Sequence, residues 1–313
     1  MDFISLLNMV ATLAILLCVG FGSRKLGLID DAFSKKLSRL VVNIGQPMLI
    51  INSLISQEYS AENLKRGLIA LGISFVLHSF MGVLAFLFAR FIKDFDKRKI
   101  SEFGMVFVNA GFIGFPILES LFGADGLFCG AFYLIGFHMF LWTWGILILS
   151  RGREDIKPTP RKIFLNYGTV PCFIGFALYL MNLPIPQFLT QPVGFLSDLC
   201  TPLTMMIAGS LIATGSLKEL FASGVNYFVA TMKLLVIPAV VCVCLNLVGL
   251  SDFYVIFGTV MAALPSASMV TILGELYGIN PAFASRIVGF TTIACTVTLP
   301  LAVTFAQFIV KAW

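Results

Sequence analysis

Residues 103–123 read FGMVFVNAGFIGFPILESLFG, a stretch that is apolar and long enough to cross a membrane as one helix. Its middle contains Asn109, Gly111, Gly114 and Pro116. Proline lacks the backbone N–H and clashes with the carbonyl four residues earlier, while glycine weakens a helix through its flexibility. The stretch therefore predicts a membrane-spanning helix that is broken near its centre, with Pro116 starting the second half.

Residues 258–278, GTVMAALPSASMVTILGELYG, have the same design, with Pro265, Ser266 and Ser268 in the middle. Proline favours the first position of a helix, so Pro265 is predicted to start a second half-helix here. Backbone groups freed by such breaks are tolerated inside a membrane only where they are buried in protein or line a cavity. Each half-helix N-terminus carries partial positive charge, although neither stretch contains Lys or Arg. Together the two stretches predict a site for a small carboxylate.

The candidate substrate-binding residues share a position in the middle of one of these two stretches. They are Asn109, Gly111, Gly114, Pro116, Pro265, Ser266 and Ser268. A single proline in a membrane helix more often marks a packing kink than a binding site. The prediction of a site therefore depends on the match between the two stretches.

The rest of the chain is that of a polytopic α-helical membrane protein. Of its 313 residues 58% are hydrophobic and only 12% are charged, about half the usual share of charged residues in soluble domains. Basic residues lie between the apolar blocks and are not interleaved with exposed aromatics, which argues against nucleic-acid binding. Ten spans are predicted, at about 3–22, 38–56, 67–89, 103–121, 126–149, 164–182, 193–214, 226–247, 253–277 and 284–310.

The ten spans divide into two repeats. A polar linker at 151–163 separates residues 1–150 from residues 164–313, with five spans on each side. Several short motifs recur at an offset of 155 residues: Gly20-Phe21 matches Gly175-Phe176, and ILESLFG matches ILGELYG. Because five is odd, the second repeat must enter the membrane from the opposite face. Such inverted repeats, with broken helices at the membrane centre, are typical of secondary transporters.

The distribution of basic residues predicts the orientation. Of the 21 Lys and Arg, 17 fall in connections that would face the cytoplasm if the N-terminus is outside. Cytoplasmic loops carry an excess of Lys and Arg. Both termini are therefore predicted to lie outside a cell membrane, with the 151–162 connection in the cytoplasm.

Three ionisable residues inside or near spans are candidates for ion coupling or a charge pair: His78, Lys233 and Glu275. A charge inside a membrane is costly, so an ionisable residue in a span is treated as a candidate for a functional role. Lys233 and Glu275 are predicted to lie toward the same side and to pair. A lone histidine such as His78 is more often a satisfied core residue than a proton carrier. The seven Cys lack CxxC spacing and accompanying ligands, so no disulfide, metal or cofactor is predicted.

These residues resemble the auxin efflux carrier family, which includes plant PIN proteins and many bacterial transporters. NAGFIGFP (109–116) is similar to the family signature in the fourth helix, and AALP (262–265) with ELYGINP (275–281) to that in the ninth. The resemblance covers nearly the whole chain. It implies a bile-acid-symporter-like fold whose fourth and ninth helices cross, with Asn109 contacting substrate and Pro116 and Pro265 as the crossover prolines.

The resemblance also implies a mechanism. Helices 1, 2, 6 and 7 would form a scaffold that dimerises, and helices 3–5 and 8–10 would form a transport domain that moves like an elevator. Ser266-Ala267 stands where plant carriers have Gln-Gly, which puts auxin itself in doubt. Bacterial relatives are associated with carboxylates such as malate or malonate.

The predicted function is secondary transport of a small organic anion by a homodimer in membrane lipid. An anion channel is the alternative, because broken inverted helices also build channels. An intramembrane enzyme is less favoured, since the sequence offers no paired His/Glu, paired Asp, or Ser with a base at helical spacing.

Overall fold

The structure is a computed structural model that describes residues 3–312 apart from 154–158, 160, 162–164, 167, 183, 215 and 216. In this part of the chain the regular structure is helical, with one isolated antiparallel bridge. Before residue 151 the helices are α1 (Phe3–Lys25), α2 (Asp31–Leu40), α3 (Gln46–Ile55), α4 (Ala61–Ala89), α5 (Phe95–Val106), α6 (Phe115–Phe140) and α7 (Ile146–Ser150). After residue 163 they are α8 (Thr169–Met181), α9 (Gln187–Asp198), α10 (Cys200–Thr214), α11 (Leu217–Ala222), α12 (Gly224–Thr231), α13 (Ile237–Leu247), α14 (Asp252–Ala263), α15 (Met269–Leu276) and α16 (Pro281–Ala312).

The described residues contain five helical stretches that are long and apolar enough to cross a membrane. They are Ala61–Ala89, Ala110–Ser150, Gln187–Ser210, Gly224–Leu247 and Pro281–Lys311. Two shorter apolar helices, Thr169–Met181 and Asp252–Ala263, accompany them. The predicted all-helical, multi-pass membrane protein is confirmed by these helices and by their composition. The exact number of ten spans stays a prediction.

Breaks explain why two of the predicted spans, the fourth and the ninth, are not single long helices. The predicted fourth and ninth spans are each divided in two, and no half reaches the length of a bilayer by itself. The stretch Ala110–Ser150 joins the second half of the fourth span to the fifth. Gly123, with φ 60° and ψ −143°, interrupts it between those two spans. That conformation is open essentially to glycine alone, so Gly123 allows the chain to turn there.

α4 has the surface of a lipid-facing helix. Leu68, Val76, Val83 and Leu87 are exposed and recur at helical spacing along one face. The opposite face carries buried residues from Ala70 to Ala89, among them the fully buried His78. A long exposed apolar stripe without interspersed charge suits hydrocarbon, because few apolar surfaces of this size are left open to water in soluble proteins.

Three prolines follow five-residue π-helical turns. The turns are Val41–Gly45, Ala110–Gly114 and Met232–Val236, and Pro47, Pro116 and Pro238 each stand two residues beyond the end of one of them. A proline provides no N–H for the carbonyl four residues earlier, and in each case that carbonyl lies within the turn. In a π turn the carbonyl pairs with the N–H five residues later, so the proline N–H is not needed and the ring is accommodated. These helices therefore continue past their prolines.

Glycines allow two pairs of helices to approach closely. At Gly20 of α1 an added Cβ would lie 2.1 Å from Met206 O of α10, and at Gly209 it would lie 1.9 Å from Leu17 O. At Gly175 of α8 a Cβ would lie 3.3 Å from the Cα of Ile51 in α3. Small residues of this kind are typical of helix contacts in membranes.

Candidate functional site

The first break lies at residues 107–109, between α5 and the π turn Ala110–Gly114. Phe107 leaves helical geometry with φ −92° and ψ 116°, and Asn109 has φ −78° and ψ 59°. The helix restarts at once, because Asn109 O accepts hydrogen bonds from the N–H groups of Ile113 and Gly114. We call this segment the first break; it was predicted for the fourth span and is present.

The second break lies at residues 264–268, between α14 and α15. Leu264 takes an extended conformation, with φ −62° and ψ 150°, and Pro265 lies inside the segment. A regular helix resumes at Met269. This second break, predicted for the ninth span, is therefore also present and is longer than the first.

The two breaks lie against each other and share their backbone hydrogen bonds. Asn109 N donates to Pro265 O at 2.8 Å, and Ala267 N donates to Phe107 O at 2.8 Å. Val108 and Ser266 form an isolated antiparallel bridge between these bonds. Each break thus supplies donors and acceptors that the other has lost, which is what backbone without access to water requires. We refer to this arrangement as the crossing.

The prolines occupy different places from those predicted. Pro116 does not start the second half-helix, which begins six residues earlier at Ala110; Pro116 is the second residue of α6, after the π turn. Pro265 lies within the second break, four residues before α15 begins. The helix can start before Pro116 because the π turn tolerates the missing N–H. The carbonyl freed by Pro116, Phe112 O, lies 3.3 Å from Thr204 Oγ1 of α10, whose single hydroxyl hydrogen is shared with Thr201 O of its own helix at 2.9 Å.

Asn109 is the polar side chain at the crossing. It is 7% exposed, and its Nδ2 lies 3.5 Å from Ser268 Oγ, the upper limit for a hydrogen bond. Ser268 is half-buried. An amide can donate two hydrogen bonds and accept through its oxygen. With one long contact in this structure, the Asn109 amide has capacity for a ligand beside the first turn of the second half-helix.

Ser266 has a structural contact. Its side chain is fully buried, its Oγ donates to Gly104 O of α5 at 2.9 Å, and its backbone N donates to Thr291 Oγ1 at 3.2 Å. Gly104 O is one of the last four carbonyls of α5, which lack donors from their own helix. The Ser266 hydroxyl therefore completes the end of the helix that precedes the first break.

Gly111 and Gly114 give room for close contacts around the crossing. A Cβ at Gly111 would meet Gln46 Nε2 of α3 at 2.3 Å, and a Cβ at Gly114 would meet Leu264 Cδ1 of the second break at 2.8 Å. Gln46, half-buried, reaches the first turn after the first break from α3. The two glycines thus let a neighbouring helix and the second break approach the same turn.

Lys233, in the π turn Met232–Val236, contacts the end of the helix that leads into the second break. Its side chain is fully buried, and its Nζ donates to Ala262 O near the end of α14 at 2.9 Å. The crossover stretches lack basic residues of their own, but a lysine from the neighbouring helix thus contacts one of them. The side chain of Glu275 lies outside the described part of the chain, so the Lys233–Glu275 pair stays a prediction.

His78 lies in an aromatic environment near the first break. Its Nδ1 is 2.7 Å from Ser74 O and 3.3 Å from Ser74 Oγ, and its ring centroid is 6.1 Å from that of Phe107. Its ring also contacts Tyr133 and Phe140. The buried Nε2 has no hydrogen-bond partner within the described part of the chain, so both the core role and the proton-carrier role of His78 stay predictions.

A small open cleft of about 40 Å³ lies beside the crossing, well below the usual volume of a small-ligand pocket. Its wall is mainly apolar and comes from α1, the turn after the first break, α6, α10 and α16. Ala14, Leu17, Ile113, Ile117, Met205, Thr292, Cys295, Thr296 and Leu299 line it. Cys295 connects the cleft to the end of α14, next to the second break, because its Sγ lies 3.8 Å from Ala263 O.

Four partners of the crossing were not recognised from the sequence: Gln46, Gly104, Thr204 and Thr291. Each is a polar or small residue of a kind that occurs throughout membrane proteins, so none stands out in the sequence. Pro116 offered one usable signal, because its missing N–H predicts a free carbonyl at Phe112 and hence a donor nearby. The sequence gives no means of identifying Thr204 as that donor.

Comparison with known proteins places the chain among transporters. The profile of a family described as "Membrane transport protein" matches residues 5–303. An uncharacterized transporter of Methanocaldococcus jannaschii is 25% identical over 98% of this chain and 97% of its own length. An uncharacterized transporter of Methanothermobacter thermautotrophicus is 24% identical over 96% of this chain and 98% of its own length. A putative malonate transporter of Rhizobium meliloti is 26% identical over 44% of this chain and 43% of its own length.

Proposed function

Because the chain belongs to the membrane transport protein family, in which the auxin efflux carrier resemblance also places it, we propose that it is a secondary carrier of a small organic anion. The anion binds at the crossing, and carriage proceeds by alternating access. The observation that carries this proposal is the pairing of the two breaks beside Asn109, whose amide has one hydrogen bond, at 3.5 Å.

The chemistry of the crossing favours a carboxylate. The second half of the fourth span begins at Ala110, and the first N–H groups of a helix lack partners within that helix. Its N-terminus carries a partial positive charge, which attracts anions. Asn109 adds an orienting N–H donor at the same point. Secondary carriers with broken helices use half-helix N-termini in this way to hold anionic groups.

An inverted repeat of five plus five spans is part of the proposal. Gly20 packs against Met206, and Gly175 packs against Ile51. Adding the repeat offset of 155 to Gly20 gives Gly175, and adding it to Ile51 gives Met206. The two contacts are therefore equivalent if the halves are related by a two-fold axis. A repeat related in this way supports ten spans and a crossing near the membrane centre.

The same contacts support a division into scaffold and transport domain. α1 packs against α10, and α3 packs against α8 and α9, so the spans assigned to the scaffold contact one another. α4 packs against α6, and α13 packs against α14, within the other set. We propose that the second set moves against the scaffold as an elevator, and that the scaffold forms a homodimer surrounded by lipid.

The substrate class follows from the site and one relative. A malonate transporter is similar to part of this chain, and a short dicarboxylate suits a site made of helix N-termini and one amide. Monocarboxylates such as indole acids stay within the proposed class.

The orientation proposed is that predicted by the basic residues, with both termini outside the cell membrane and 151–162 in the cytoplasm. An impermeant thiol reagent would test it: a cysteine placed at residue 157 should not react from outside sealed cells.

Counterflow in proteoliposomes tests the function. Vesicles preloaded with unlabelled malonate should accumulate labelled malonate transiently, with a rate that saturates. Malate, a monocarboxylate, an indole acid and a bile acid are tested in parallel as the preloaded anion. Unitary currents without counterflow would replace the carrier with an anion channel. Absence of both for every anion would contradict the proposal.

A further inference from the structure

Lys233 contacts the end of α14, two residues before the second break, at a place where the chain has lost a hydrogen-bond donor. In a continuous helix Ala262 O would accept from the N–H of Ser266. That N–H instead donates to Thr291 Oγ1, because the helix ends at Ala263. The Lys233 ammonium replaces it, with Nζ donating to Ala262 O at 2.9 Å.

The end of α14 is a favourable position for a cation. The last carbonyls of a helix lack donors and carry about half an elementary negative charge. Within the described part of the chain, Ala263 O is met by the weak donor Cys295 Sγ at 3.8 Å. In secondary carriers with broken helices, such carbonyl ends bind the coupling cation, commonly Na⁺. Here the position beside Ala262 is occupied by an ammonium that is part of the chain.

The burial of Lys233 argues against a packing role. The side chain has no exposed surface, so the ammonium does not extend to a membrane surface or to water in this structure. A charge inside a membrane is costly, and a residue that retains one there requires a compensating role. Leu234, the next residue on the same turn, is equally buried and apolar. Leu234 therefore offers a matched position for removing a buried side chain without removing a charge.

We infer that Lys233 is a tethered cation of the anion site, which occupies the position where a carrier of this design otherwise binds a metal ion. It stabilises the end of α14. Its positive charge, on one side of the second break, is neutralised by the anion bound on the other side. Transport then requires no bound Na⁺. The inference deepens the proposed function and rests on it for the role of the anion.

Chemical rescue tests the cation without requiring a substrate. Lys233→Ala removes three methylenes and the ammonium, the volume of n-propylammonium. Since a ligand stabilises the folded state that binds it, n-propylammonium should raise the melting temperature of purified Lys233→Ala by roughly 2–4 °C. Leu234→Ala is the matched control, and it should gain nothing. If 1-propanol works as well as n-propylammonium, or Leu234→Ala responds equally, Lys233 merely fills space and the inference is wrong.

Uptake of labelled malonate into proteoliposomes tests the charge in transport. Lys233→Met keeps the volume and loses the charge, and Lys233→Arg keeps the charge. Uptake by the unsubstituted protein should be equal in NaCl and KCl, and Lys233→Met should lower it about tenfold or more, as expected for loss of an interaction with a charged group. Lys233→Arg should retain most of it. A Na⁺ requirement in the unsubstituted protein, or normal uptake by Lys233→Met, would overturn the inference alone. If no carboxylate is taken up by any form, the proposed function fails, while the n-propylammonium result still decides whether Lys233 holds a cation position.

Discussion

In both breaks a side chain donates a hydrogen bond to a carbonyl at the end of the preceding helix, but the two side chains differ. At the first break the end of the preceding helix, Gly104 O, is met by the neutral hydroxyl of Ser266. At the second, Ala262 O is met by the ammonium of Lys233. The first break carries Asn109 and the second carries Pro265. The comparison indicates a division of roles: the first break provides a hydrogen-bonding amide, and the second is associated with the positive charge.

Asn109→Asp should have the largest effect, because it places a negative charge at the break proposed to orient an anion. Two like charges at close range in a site of low dielectric repel strongly. We expect counterflow of malonate to fall below detection while the protein still folds. Counterflow at the normal rate in Asn109→Asp would assign Asn109 a packing role and remove the proposed asymmetry between the breaks.

Asn109→Ala should have the next largest effect. It removes the amide without adding a charge, and a lost hydrogen bond to a charged group costs about 1.5–3 kcal/mol, or about ten- to hundredfold in affinity. Binding can be measured as the stabilisation of purified protein by malonate. Asn226→Ala is the matched control, since Asn226 is fully buried and its amide donates to Leu220 O away from the crossing. Equal loss of malonate binding in both variants would argue against a site at Asn109.

Ser266→Ala should lower stability more than affinity. It leaves Gly104 O without its side-chain donor at the end of α5, which costs about 1–3 kcal/mol when such a group is buried. Thermal unfolding in detergent measures the change. Ser53→Ala is the control, because Ser53 Oγ donates to Ile50 O within a continuous helix, where that carbonyl keeps its backbone donor. A smaller loss for Ser266 than for Ser53 would mean that the end of α5 does not depend on the second break.

Thr204→Val should have the smallest effect. It removes a hydroxyl that is shared between Thr201 O and Phe112 O, the carbonyl freed by Pro116, at an expected cost of about 0.5–1.5 kcal/mol in unfolding free energy. Thr143→Val provides the comparison, since Thr143 Oγ1 donates to Met139 O one turn earlier in its own helix. In thermal unfolding, Thr204→Val should have a lower melting temperature than Thr143→Val. Equal melting temperatures would show that the π turn alone compensates for Pro116.

The sequence by itself determined the class of the protein and the place of its breaks. Apolar stretches of membrane length predict spanning helices because hydrocarbon leaves few other solutions for the backbone. Proline, glycine and asparagine in the middle of residues 103–123, and proline and serine in the middle of residues 258–278, predict interruptions for equally local reasons. Membership of the transporter family is confirmed, as are the helical architecture and both interruptions.

Only the tertiary structure decided what each break contacts. The sequence placed the start of a half-helix at Pro116, but a π turn, accompanied by a donor from Thr204 far along the chain, lets the helix begin at Ala110. Lys233 is visible in the sequence as a charge in a span, whereas its acceptor, Ala262 O, becomes available only because α14 ends there and the neighbouring helix packs against it. Breaks are local consequences of residue type. The partners that satisfy them are set by which helices pack together, and apolar sequences match too many neighbours to specify that packing.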